Sequence, residues 1–135
     1  MMGEEERRYP LGEHERERIV SRTGRPLGEL TLENVRAGQV DAGDLTIHPD
    51  TLRAQAAIAE EAGFPQLAAN LRRAAELATV PNERVFAIYE ALRPYRVTYE
   101  QLRALADELE REYAAPENAR FLREAAEVYR ARGLA

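Results

Sequence analysis

The sequence predicts an all-α protein: a compact bundle of about five helices over residues 49–135, preceded by a mostly irregular N-terminal arm over residues 1–48 with one short helix. Three observations point there. Residues 1–48 hold six of the eight glycines but only one of the nine aromatics, Tyr9. Such a stretch buries little apolar surface alone and is expected to order against something else. Beyond residue 48, apolar residues recur at helical spacing, with proline near the starts and glycine past two of the ends. No strand-like alternation of useful length appears in that part.

In the arm, "LTLENVRAGQV" holds the one helix candidate, Thr31–Ala37, with Thr31 as cap and Gly38 as stop. Leu32 and Val35 then share a face. "DLTI", residues 44–47, reads as a short extended piece. In "HPDTLRAQAAIAEEAG", Pro49 stands near a helix start and Gly63 after its end. "FPQLAANLRRAAELATVP" is expected to turn Leu67, Leu71, Ala74, Ala75 and Ala78 toward the core. "PNERVFAIYEALRP" is expected to do so with Val85, Ile88, Tyr89 and Leu92. "TYEQLRALADELEREY" opens on a capping box, Thr98 with Gln101, and carries a stripe of Leu102, Leu105, Ala106, Leu109 and Tyr113. "PENARFLREAAEVYRARG" starts on Pro116, carries Leu122, Ala125, Ala126 and Tyr129, and stops at Gly133. Short links between such helices give an antiparallel bundle.

The residue types exclude much chemistry. There is no cysteine, hence no disulfide framework, thiolate nucleophile or cysteine metal site. No apolar run approaches the roughly 20 residues of a membrane span, and "MMGEEERRYP" lacks the apolar centre of a secretory signal. A soluble cytoplasmic protein is expected, with no membrane partner. Net charge is −5 and all 19 basic residues are arginine, a balance that argues against a general nucleic-acid binder. His48 precedes Pro49 as a helix-entry residue, and His14 lies in the charged run "GEHERER"; neither has the spacing of a metal motif. Glu60 and Glu61 are adjacent, so they diverge around a helix instead of converging on one bond. Ser21, the single serine, has no nucleophile-elbow context, and no glycine cluster forms a phosphate cradle. No catalytic, cofactor-binding or metal-binding residue is expected. The residues alone point to an interaction module or a non-catalytic subunit.

Several stretches, in order, carry a resemblance: "YPLGEH", "LTLENVRAGQV", "DLTIHPDTLRAQAAIAEEAG", "LAANLRRAAELATVPNERVFAIYEALRPYR" and "FLREAAEVY". From Tyr9 to Arg132 the chain resembles the small (gamma) subunit of adenosylcobalamin-dependent diol and glycerol dehydratases. The resemblance implies a carbon–oxygen lyase built as a heterohexamer, with two copies each of a large (alpha), a medium (beta) and a small subunit. It implies substrate chemistry in a TIM barrel of the large subunit and adenosylcobalamin held by the large and medium subunits. Homolysis of the cobalt–carbon bond would start hydrogen abstraction, hydroxyl migration and loss of water, turning 1,2-propanediol into propanal or glycerol into 3-hydroxypropanal. The small subunit would be required for assembly and carry no catalytic residue. Packaging in a bacterial microcompartment is associated with N-terminal extensions, and "MMGEEERR" does not resemble a packaging helix. The alternatives from other classes are a free-standing helical adaptor or regulator and a small helical nucleic-acid binder.

The residues expected at a subunit interface are Leu32, Val35 and Ile47 in the arm and Arg93, Tyr95 and Arg96 in "ALRPYR". Pro94 disfavours helical geometry at Arg93, so the preceding helix should finish near Leu92. Two readings of this link stay open: a connector whose Tyr95 folds back onto the core, or a docking knob of the residue types enriched at interface hot spots.

Overall fold

A computed structural model describes residues 7–135; residues 1–6, and with them most of the acidic start that bears on packaging, lie outside the described part. The protein is all-α, with five long helices and no β-strand among the described residues. The chain divides into two compact units at Ala78/Thr79, so the residues of the expected arm share a unit with the first two long helices.

In the first unit, α1 (Leu11–His14) and α2 (Leu32–Arg36) are short, and α3 (Pro49–Glu61) and α4 (Pro65–Leu77) form a helical hairpin. Thr31 caps α2 by accepting from the Asn34 N–H, as its sequence predicts. His48 caps α3 through Nδ1, which accepts from the Asp50 N–H at 3.0 Å, so the helix-entry reading holds. Gly63 closes α3 at φ +87°, where a side chain would be strained. Its N–H donates to the Glu60 carbonyl, and the Phe64 N–H donates to the Ala59 carbonyl, satisfying two groups the helix end leaves open. The helices meet through Ala56, Ala59 and Ala68, with Leu71 packed alongside. Small residues at the contact let the backbones approach closely, and this corrects the predicted face of α4. Leu67 and Ala74 are exposed, while Ala68 and Ala75 are buried.

The arm is irregular but tied down, more firmly than its composition predicts. α1, which the sequence pattern does not predict, buries Leu11. Val40 is also buried. Ser21 and Ile47 form an isolated antiparallel bridge, as do Val20 and Pro26. The Arg22 N–H donates to the Thr46 carbonyl at 2.9 Å, and its guanidinium donates to the Ala78 carbonyl at 2.7 Å. The buried Asp44 gathers the Thr23 hydroxyl at 2.5 Å, the Asp41 N–H at 3.1 Å and the Arg25 guanidinium at 3.7 Å. The Thr23 hydrogen bond is the main reason its carboxyl is held below the usual aspartate range, with the Asp41 N–H next. The arm thus satisfies its polar groups with pairs between residues well separated in sequence, and buries few apolar side chains.

The second unit holds α5 (Asn82–Ala91), α6 (Tyr99–Tyr113) and α7 (Pro116–Arg132). Leu102, Leu109 and Leu122 are its fully buried anchors, with Ala106, Ala115, Ala119 and Ala126 filling the space between. The capping box on α6 is complete in both directions: Thr98 accepts from Gln101 and the Gln101 side chain accepts from the Thr98 N–H. Arg123 of α7 reaches Asp107 at 2.8 Å and Glu110 at 2.5 Å on α6. Arg84 of α5 pairs with Glu108 of α6. The α5 face differs from prediction at one position: Ile88 and Ala91 are buried, whereas Tyr89 is exposed. The buried side of α5 centres on the line through Ile88 and Ala91, and Tyr89 lies off it.

Candidate subunit interface

Of the six expected interface residues, three lie in each unit. Leu32 and Val35 stand one turn apart on α2 and are 77% and 43% exposed. Ile47 is exposed at its bridge with Ser21, next to the exposed Leu45. These apolar side chains sit on a segment held by Thr31, Asn34 and the Asp44 cluster, so they are presented on ordered backbone. Asn34 adds to this by donating from its side chain to the Glu29 carbonyl at 2.7 Å.

α5 ends at Ala91 with Leu92 as its cap, as Pro94 predicts. Arg93 follows at the carbonyl end, where a positive charge is favoured. Its guanidinium approaches Glu90 at 3.2 Å, and Arg96 approaches the same carboxylate at 3.4 Å. Tyr95 takes a left-handed φ of +64° and its N–H donates to the Leu134 carbonyl at 2.8 Å. Its ring is 77% exposed. The connector reading, with Tyr95 folded onto the core, therefore fails in this structure. The tyrosine that fastens this corner is Tyr129, whose hydroxyl donates to the Leu92 carbonyl at 2.5 Å and satisfies the end of α5.

Two open hollows lie near these residues. A shallow hollow of about 310 Å³ beside Tyr95 is lined by Val97, Gln101 and Leu134, among others. A second, of about 280 Å³, lies among Thr23, Arg25, Glu29 and Asp44. Their volumes lie at or just below the lower end of the roughly 300–1,000 Å³ typical of drug-sized ligands. Among the described residues no three His, Cys, Asp or Glu side chains gather as a metal site. His48 spends Nδ1 on its cap. What the arrangement offers is contact: exposed apolar side chains, guanidinium groups and a rigidly held aromatic.

Two exposed aromatics of α5 escape the sequence pattern. It gives Phe86 no role and sets Tyr89 in the core, yet both are open to solvent. They are 3 residues apart on α5, a signal visible in "VFAIYEA" once Ile88 and Ala91 are taken as the buried line.

A family model described as "Dehydratase small subunit" matches residues 4–135. The propanediol dehydratase small subunit of Salmonella typhimurium is 50% identical over 121 residues, covering 90% of this chain and 70% of that protein. The propanediol dehydratase small subunit of Citrobacter freundii is 50% identical over the same shares of the two chains.

Proposed function

The chain belongs to the dehydratase small-subunit family, and from that premise we infer that it is the non-catalytic small subunit of a diol dehydratase complex. In that complex it pairs with a large and a medium subunit, two copies of each chain making a heterohexamer. Adenosylcobalamin is held by those subunits, and the radical conversion of a 1,2-diol or glycerol to an aldehyde runs on the large one. The in-order likeness to propanediol dehydratase small subunits along nearly the whole chain carries this reading.

The role of this chain is then to hold the complex together. Residues 1–48 lie on a partner subunit, with Leu32, Val35 and Ile47 supplying apolar contacts. Arg93, Tyr95 and Arg96 supply a second, polar-aromatic contact. The ties that hold the arm support this, because a pre-ordered segment loses less entropy on docking than a disordered one.

Co-expression with the large and medium subunits tests the proposal. One complex containing all three chains, forming aldehyde only when adenosylcobalamin is present, is the expected result. The chain by itself should form none. Deleting residues 1–40 should leave the helicity of 49–135 largely intact and weaken assembly; a complex unchanged by the deletion refutes the role of the arm.

A further inference from the structure

We propose that Phe86 and Tyr89, with Tyr95, are the anchor of a docking surface that seats in an apolar, carboxylate-rimmed depression on a larger dehydratase subunit. This deepens the small-subunit reading and rests on it. Phe86 is 71% exposed and Tyr89 62%. They stand one turn apart on α5, on the side away from the buried Ile88 and Ala91, and Arg93 follows just past the end of the helix. A solvent face of a helix ordinarily carries charged and polar groups. Here it presents two aromatic rings, and a third exposed ring follows at Tyr95, within the same ten residues.

Size and charge select the occupant. Three rings of this exposure offer on the order of 400 Å², well beyond what a small solute covers and about half of the roughly 800 Å² each partner contributes to a standard interface. A second copy of this chain meeting the patch through itself would fall in the range of weak contacts. A larger subunit that also engages the arm supplies the missing area. At the carboxyl end of the face, Arg93 and Arg96 share the single carboxylate of Glu90. One positive charge is left over there, on a chain whose net charge is −5. Arg84 is already paired with Glu108, and Glu83 stands at the opposite end of α5. The fitting partner surface therefore carries a carboxylate where it meets Arg93 and Arg96.

The test measures binding of the full chain to the co-purified larger subunits, alongside the size of the free chain in solution. The double variant Phe86→Ala with Tyr89→Ala should keep its helicity and lose at least about tenfold in affinity. The variant Arg93→Glu with Arg96→Glu, confined to exposed side chains, should bind several-fold more weakly and with reduced dependence on salt. Unchanged binding by both variants overturns the proposal while the small-subunit reading stands. A free chain that dimerises, and becomes monomeric in the aromatic variant with subunit binding intact, also overturns it and makes the face a self-contact. Failure of the wild-type chain to bind the larger subunits overturns both readings together.

Discussion

In the proposed docking role, Tyr95 is the residue at which stability and function pull apart. Its left-handed backbone costs roughly 1–2 kcal/mol for a residue with a side chain, and a residue 77% exposed gains little burial to offset that. The hydrogen bond that fixes it, from its N–H to the Leu134 carbonyl, uses backbone alone. Tyr95→Gly should therefore leave the free chain as stable as before, or more stable by up to about 1 kcal/mol, while weakening assembly. Urea unfolding and a binding assay read the two effects separately. A loss of more than about 1 kcal/mol would mean the ring fastens the core after all. Asp44 makes a different prediction. Its depressed pKa gives the arm stability that is fully present above the unfolded value of about 3.9 and is lost as pH falls through the lower folded value. Glu15, Asp107 and Glu127 are shifted the same way, so the whole chain should weaken in acid. Asp44→Asn removes one such group, and its stability should fall less steeply with acid than that of the wild type. Parallel curves for the two would show that Asp44 does not hold the arm.

At the scale of elements, helix ends are legible in the sequence and helix faces are less so. Thr31, Thr98, Gly63 and Gly133 mark ends by local chemistry, which a sequence carries in full. The capping box on α6 is the sharpest case, and Thr98→Ala should cost roughly 0.5–2 kcal/mol; a melting curve identical to wild type would show that the cap is redundant. Faces depend on what packs opposite. α4 turns Ala68 and Ala75 inward and leaves Leu67 outside because α3 approaches through alanines. Hydrophobicity favours leucine at that contact, and close approach overrides it. Tyr89 departs from its pattern for a related reason: the Val85–Ile88–Tyr89–Leu92 stripe and the line through Ile88 and Ala91 are neighbours, and only packing separates them. Composition makes the arm look looser than it is, since its order comes from paired polar groups such as Thr23, Arg25 and Asp44, far apart in sequence.

For the molecule as a whole, the proposed non-catalytic role has its clearest sign in composition, where the residue types of a reaction centre are scarce: two histidines, one serine and no cysteine. The proposed contact residues are half legible: Leu32, Val35, Ile47 and Tyr95 are named by the sequence and are exposed, whereas the aromatic face of α5 emerges only from the packing. The proposed small-subunit role has this chain complete a dehydratase without performing its chemistry. The most direct measurement prepares the large and medium subunits alone, then adds the purified chain in increasing amounts with adenosylcobalamin and a 1,2-diol. Little stable complex and little aldehyde are expected at the start, with both rising together and levelling off at one small subunit per large subunit. Full activity and a stable complex before any of this chain is added would rule out that role.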